Sequence, residues 1–376
     1  MKPYIFSILF CVITSISIAQ TKEVILKESY SVDQNTTLDI DIDNASIVFE
    51  ESNDNKIHLD YLILFSEESE KAQFKVFNGV NASSVKTDNK VSLIVKNSMY
   101  LGELYSLDVG LEAYKKYFIG ILSAIKKNQY QYKSKDSLIN EIDFSKGSYV
   151  EDYFKKLIIE NPKKDWGKSV RKFKQHFTIR VPKHVKINIK TLHSIIEFNY
   201  DIEKPFTLNS FKTHFKFKKI LGKENRIIVS NGIFQAKEIN NGRIEFLDMH
   251  KVVIGEVSNI SVATETSRIQ FGEVGENVDF KDFNSKLYFY NYRNKFKTFN
   301  FKGDYSELHF YNIIYSNFSM DVFGHNTTLN MNETKTTFGL SKDEKLDKIL
   351  EKKVKENKVS EGNIAIELKN GILNIK

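Results

Sequence analysis

A short pattern, serine–any–aliphatic–any–phenylalanine, recurs through the second half of this chain and limits its fold more than any other feature. It stands as Ser194-Ile196-Phe198, Ser267-Ile269-Phe271, Ser285-Leu287-Phe289 and Ser306-Leu308-Phe310. Looser copies are Thr213-Phe215-Phe217, Gly242-Ile244-Phe246 and Thr327-Leu329-Met331. Before most copies sits another alternating strand: Val185-Ile187-Ile189, Phe206-Leu208, Ile227-Val229, Ile260-Val262, Val278-Phe280, Phe299-Phe301 and Phe318-Met320-Val322. These first strands begin 21, 21, 33, 18, 21 and 19 residues apart, and the 33-residue step hides an irregular unit around 240–255. A unit of ~20 residues with two strands cannot bury its own apolar side chains, whereas stacked units can. Equivalent positions then lie about 4.8 Å apart along the stack. Phe, Leu and Ile alternate inward as ladders, and Ser, Thr, Asn or Gly make the corner. Asn231-Gly232 and Asn241-Gly242 suit turns with positive φ. The expected fold class is mainly β: a stacked-repeat β-solenoid, β-helix-like, over 171–340. A β-sandwich with hairpins about every ten residues is the alternative, and the spacing leaves it open.

The rest of the chain divides around that body. Residues 1–19 carry Lys2, an apolar run from Tyr4 to Ile18 and small residues at Ser17 and Ala19. That is the pattern of a signal peptide cleaved before Gln20, and it predicts an exported protein. Residues 20–98 form an N-terminal β region. Leu38-Asp39-Ile40-Asp41-Ile42-Asp43 alternates without error, and Ser66 caps a predicted short helix running to Phe77. Residues 99–170 change period. Leu107, Leu111, Tyr114, Phe118, Ile121, Leu122 and Ile125 share one helical face, and Tyr149, Val150, Tyr153, Phe154, Leu157 and Ile158 repeat it. This predicts an inserted α-helical hairpin that covers a sheet face or a stack end, or binds a partner. Residues 341–376 hold a capping-box match at Ser341–Glu344 ahead of Leu346, Ile349 and Leu350, which predicts a charged stretch that is either a short surface helix or a loop. A closing β-hairpin is expected from Ile364–Leu368, Asn370-Gly371 and Ile372–Ile375.

A family resemblance rests on these residues. The signal, the strand Leu38–Phe49, the stretch Phe177-Thr178-Ile179-Arg180-Val181-Pro182 to Ile189 and the short repeated units together resemble the putative-adhesin β-solenoid proteins exported by Bacteroidota-type bacteria. That group includes the head domain named for a Gly-Ile-Asn signature. The resemblance covers most of 22–98 and 176–376, and the 99–170 insertion lies outside it. It implies a β-solenoid in the cell envelope, periplasmic, outer-membrane-associated or on the surface, and it supplies no catalytic residues. The family places Asn-Gly before the second strand; here that survives at Asn231-Gly232, Asn241-Gly242 and Asn370-Gly371, with serine at most other units.

Composition narrows the chemistry. The only cysteine, Cys11, lies in the signal, so disulfides, thiolate nucleophiles and Cys-ligated zinc are excluded from the mature chain. The formal net charge of +7 becomes +6 without Lys2, a mild value at this length. None of the eight histidines forms an H-x-x-x-H or H-E-x-x-H pair. His193 and His214 are one unit apart but offset by a position. Asp39, Asp41 and Asp43 share a strand face, either as a calcium-binding or acid–base cluster or as a wet surface. Lys and Arg crowd 171–190 and recur at Lys212, Lys216, Lys218 and Lys219, suiting either a solvated strand face or an anionic surface. Tyr288, Tyr290 and Tyr292 alternate with Leu287 and Phe289, so they are expected on the outside, with Tyr311 and Tyr315 extending the strip. That strip is the candidate binding surface, for a glycan or a protein partner. No metal, cofactor or nucleic acid is expected. The functional expectation is a non-enzymatic envelope or surface interaction protein, adhesin-like. The alternatives are a periplasmic structural or signalling accessory acting through 99–170, and a carbohydrate-active enzyme on a β-helix.

Overall fold

The alternation in the sequence becomes two stacks of strands, between which the chain passes back and forth. The computed structural model describes residues 21–65, 77–101, 106–107, 170–171, 173–293, 296–313, 318–331, 334–338, 345–353 and 362–376. The first stack runs, in order, Ala82–Thr87, Lys90–Leu101, the first half of Thr37–Glu51, Lys186–Leu192, Phe206–Phe211, Arg226–Ser230, the second halves of Ile233–Leu247 and Lys251–Glu265, Asn277–Phe283, Thr298–Asp304, Asn363–Lys369, Ser319–His325 and Asp347–Lys352. The second stack runs Thr21–Ser31, Lys56–Phe65, Phe173–Val181, the second half of Thr37–Glu51, Ile195–Phe198, His214–Ile220, the first halves of Ile233–Leu247 and Lys251–Glu265, Arg268–Val274, Lys286–Tyr292, Glu307–Phe310, Ile372–Ile375, Thr327–Met331 and Thr334–Phe338. Thr37–Glu51 and Ile233–Leu247 serve both stacks. Through them the pairings close a ring of seven parallel strands, completed by Lys186–Leu192, Phe206–Phe211, Arg226–Ser230, His214–Ile220 and Ile195–Phe198.

Between the stacks lies one continuous apolar core. In the second stack Phe49, Phe198, Phe217, Ala236, Ile254, Phe271, Phe289 and Phe310 occupy a single register position. Their rings stack where they are adjacent: 4.2 Å between the centroids of Phe49 and Phe198, and 4.9 Å between Phe289 and Phe310. At both ends the outermost pairings are antiparallel. Such caps close an edge that would otherwise template further strand addition.

The corners account for the serine in the repeat. The residue before the serine, or before the Thr, Gly, Ala or Met in its place, is left-handed in unit after unit: Asn44 (φ 57°), His193 (49°), Lys212 (51°), Asn231 (55°), Asp248 (51°), Thr266 (47°), Asn284 (57°), Tyr305 (57°), Asn326 (48°) and Asn370 (49°). The hydroxyl that follows points inward. Ser267 Oγ donates to the Glu265 carbonyl (2.8 Å) and accepts from the Met249 N–H of the neighbouring unit (3.0 Å). Ser285 Oγ accepts from the Ser267 N–H (3.0 Å), and Thr213 Oγ1 accepts from the Ser194 N–H (3.3 Å). The serines therefore bond one corner to the next, replacing ladder bonds that the turn interrupts. Thr266 is a β-branched residue held left-handed, a conformation costing about 1–2 kcal/mol away from glycine. Its side chain is exposed. Thr266→Asn is expected to raise unfolding stability by about 1 kcal/mol, measured by urea denaturation.

Several expectations are corrected by the pairing. The 33-residue step contains a whole additional unit, because Gly242-Ile244-Phe246 pairs with Ile227-Val229 in the first stack. It is a first strand, and the second-stack strand of its unit is the first half of Lys251–Glu265. The closing segments Asn363–Lys369 and Ile372–Ile375 do not form a hairpin. They are the two strands of one ordinary unit, each paired parallel on both sides. That unit sits two strands inside the end of each stack. Asp347–Lys352, expected within a charged helix or loop, is a strand antiparallel to Ser319–His325. Leu107, the first member of the predicted helical series, lies in a short strand, Ser106–Leu107, paired with Val170–Arg171. The rest of the predicted helical hairpin, the predicted helix at 66–76 and the signal at 1–19 lie outside the described residues. Among the described residues no helix is long and apolar enough to cross a membrane.

Candidate binding surfaces

The two stacks share one core but differ on their outer sides. In the first stack, Phe206–Phe211 and Asn277–Phe283 alternate perfectly between buried and exposed. In the second, Arg268–Val274 and Lys286–Tyr292 are buried on both sides of the strand across their middle residues.

This asymmetry decides the tyrosine strip. Tyr288 and Tyr290 do point away from Leu287 and Phe289, as alternation predicts, but each is only 1% exposed. They form a small second cluster with Val253, and Tyr311 packs against it half-buried. Tyr288 stacks on His309 (centroids 4.5 Å), with the Arg268 guanidinium 5.1 Å from its ring. Tyr290 stacks on Tyr311 (4.9 Å). Tyr292 packs edge-on against Phe296 (5.2 Å) and beside Phe318 (5.1 Å) at the rim of the main core, and burial pushes its hydroxyl pKa up. Tyr315 lies outside the described residues. The expected exposed strip is therefore corrected to a buried one. Period-two alternation fixes the side of the strand a residue occupies, and says nothing about what packs on that side.

The histidines are structural in their surroundings. The register sets Leu192 against Phe211, which places His193 level with Lys212, while His214 lies level with Ile195. Burial pushes His214 down to about 4, helped by the nearby His250. Burial likewise pushes His309 down to about 4, against the opposing pull of Glu307, whose Oε1 is 2.7 Å from Nε2. Lys286 and Lys376 add repulsion. Both rings are thus neutral in the folded protein when a histidine in the unfolded chain, with a pKa of about 6.5, has begun to take up a proton. The stability this confers is fully present above pH 6.5 and is lost as pH falls from there toward 4, by up to about 3 kcal/mol for His309. Urea midpoints measured from pH 7.5 to pH 4 are expected to fall through that window, and His309→Gln to flatten part of the slope. Among the described residues no group of three or more His, Cys, Asp or Glu could hold a metal ion.

The charged candidates are largely neutralised. Asp39 pairs with Lys90 (2.5 Å) and accepts from Asn188 Nδ2 (2.7 Å). Lys96 bridges Asp41 (2.6 Å) and Asp43 (3.0 Å). In the basic stretch Arg180 bonds Asp60 (2.5 Å), Lys183 lies 3.2 Å from Glu203, and Lys219 lies 2.6 Å from Glu238. Partners across the strands neutralise the acidic run and part of the basic one.

The outer side of the first stack offers a different surface, on the opposite stack from the tyrosines. Phe211, Phe283 and Tyr305 are 44%, 48% and 57% exposed. Phe283 and Tyr305 meet edge-to-face with centroids 6.0 Å apart. Beside them a groove of about 470 Å³ is lined by Leu247, Lys281, Phe283, Lys302, Leu346 and Glu367, among others. Under its wall Asp282 is buried and accepts from Thr264 Oγ1, Ser306 Oγ and the Ser285 N–H, which fixes the backbone that carries Phe283. The sequence held a signal for this surface: Phe211 and Phe283 stand immediately before the left-handed corner residue, out of phase with the inward phenylalanines.

No family model and no curated protein matches the chain. Two solved structures are similar to it. One is a putative adhesin from Bacteroides fragilis NCTC 9343, 8% identical, with 96% of this chain and 99% of that chain covered and a TM-score of 0.32. The other is a putative cell adhesion protein from Clostridium sporogenes ATCC 15579, also 8% identical, with 95% and 99% covered and a TM-score of 0.17.

Proposed function

We propose that this is an exported, non-catalytic interaction protein of the cell envelope or cell surface, adhesin-like, whose body is a β-solenoid of ~20-residue units. It binds a glycan or protein partner through the side of the first stack. The observation that carries this reading is the exposed aromatic rim of Phe283 and Tyr305 beside a groove, mounted on strands that are hydrogen-bonded on both sides. A surface held rigidly before binding loses little conformational freedom when a partner docks. Apolar side chains exposed on an otherwise alternating face mark interaction sites. Binding rather than catalysis is supported by the pairing of the carboxylates at Asp39, Asp41 and Asp43 with lysines.

The test has two parts. Tagged protein is labelled with antibody on intact and on permeabilised cells. Labelling of intact cells supports the surface reading, and labelling only after permeabilisation favours the periplasmic accessory acting through 99–170. Glycan and matrix-protein arrays are then probed with the wild type and with Phe283→Ser/Tyr305→Ser. Loss of a binding signal in a variant of unchanged urea midpoint is the expected outcome. Equal binding by the two proteins would remove this rim from the reading.

A further inference from the structure

The chain order and the stack order part company at the C-terminus. Thr298–Asp304 and Glu307–Phe310 form one unit, and Ser319–His325 and Thr327–Met331 form the next unit along the chain. These two units do not touch through their strands. The last unit of the chain, Asn363–Lys369 with Ile372–Ile375, is inserted between them. Both walls of this slot precede their occupant in the sequence. The occupant is specified in detail. Ile364 lies between Phe299 and Met320, and Ile366 between Phe301 and Val322. Ile364, Ile366, Leu368, Leu373 and Ile375 are at most 5% exposed. At the corner, Asn370 Nδ2 donates to Asp304 Oδ1 on one wall (2.9 Å), and Asn326 Nδ2 on the other wall donates to Asn370 Oδ1 (2.9 Å). Gly371 admits no Cβ, because one would stand 2.6 Å from the Ser306 carbonyl oxygen.

We propose that this slot accepts the C-terminal unit of a second copy of the chain, joining copies by strand exchange. Every copy carries both the slot and the segment that fits it, and each contact just described is the same whether the segment arrives from its own chain or from another. An empty slot presents two parallel edges facing one another, the strongest template for strand addition. The antiparallel caps Asp347–Lys352 and Thr334–Phe338 close the outer end of the stack, so copies do not join there by extending it. A tethered segment competes at an effective concentration in the mM range, so exchange occurs between chains folding side by side, as a domain swap.

The mature chain's lack of cysteine makes the test clean. Asn300 and Ala365 are register partners across the slot wall, and both are exposed. Adjacent strands about 4.8 Å apart lie within disulfide reach. In the full chain carrying Cys11→Ser, Asn300→Cys in one copy and Ala365→Cys in a differently tagged copy are co-expressed and the exported protein is oxidised. Lys190→Cys with Ala365→Cys measures random collision. Both cysteines placed in one chain report on the geometry itself. The expected result is a doubly tagged disulfide dimer at least tenfold above the collision pair. A dimer yield equal to the collision pair, with the single-chain disulfide forming normally, would overturn the proposal. Failure of the single-chain disulfide in a folded protein would overturn the slot pairing on which it stands.

Discussion

Replacing Phe289 by alanine is expected to lower the free energy of unfolding by about 4 kcal/mol. Phe289 is fully buried and touches aromatic rings on four sides. Phe271 (5.3 Å) and Phe310 (4.9 Å) stack on it along the ladder, and Phe280 (5.5 Å) and Phe299 (5.0 Å) meet it edge-on from the opposite stack. The neighbouring rings are each pinned by their own strands and cannot collapse into the space. The cost is therefore the lost transfer term plus a cavity term, with each aromatic contact adding about 0.5–1.5 kcal/mol. In a stack each unit interacts mainly with its neighbours, so the damage should be local. Hydrogen exchange is expected to accelerate in Arg268–Val274, Lys286–Tyr292 and Glu307–Phe310 while the core of Thr37–Glu51 keeps its protection. Uniform loss of protection across both regions would show that the stack unfolds as one cooperative body.

Asn225→Leu is expected to destabilise by about 3–5 kcal/mol although leucine has a similar volume. Asn225 is 2% exposed and occupies a place on the inward side of the first stack. Its Nδ2 donates to the carbonyls of Gly222 (2.5 Å), Asn240 (3.2 Å) and Asn241 (2.9 Å), and its Oδ1 accepts from the Phe206 N–H (3.1 Å). The Asn240 and Asn241 carbonyls lie where Ile233–Leu247 crosses from one stack to the other and its own ladder is interrupted, and the Phe206 N–H opens the neighbouring first-stack strand. Leucine would leave a buried donor and several buried acceptors without partners, each costing about 1–3 kcal/mol.

The ladder position of Phe289 was legible because inward residues repeat at one offset from each serine. Asn225 was not. It stands before Arg226 and Ile227, where the sequence shows only a polar residue ahead of a strand, and three of its four partners come from residues 15 to 19 positions away in the chain. The corner serines were legible as corners. That they bond to one another across units follows from the stacking and not from the pattern of any single unit. The candidate binding surface was read one stack away from where the exposed aromatics stand. Tyr288 and Tyr290 carry the correct alternation, but Phe283 and Tyr305, next to a corner, carry the exposure.

By itself the sequence determined the strand content, the inward set of side chains, the corners and the period of about twenty, because each is a local property of alternation or turn chemistry. Only the tertiary structure decided which strands are axial neighbours and which outward faces are covered. The last two strands read as a closing hairpin, yet they form a unit that enters between two earlier ones, since parallel pairing depends on edge complementarity and not on chain order. The outward tyrosines read as exposed, yet they are buried, since burial depends on what a face meets after the chain has folded.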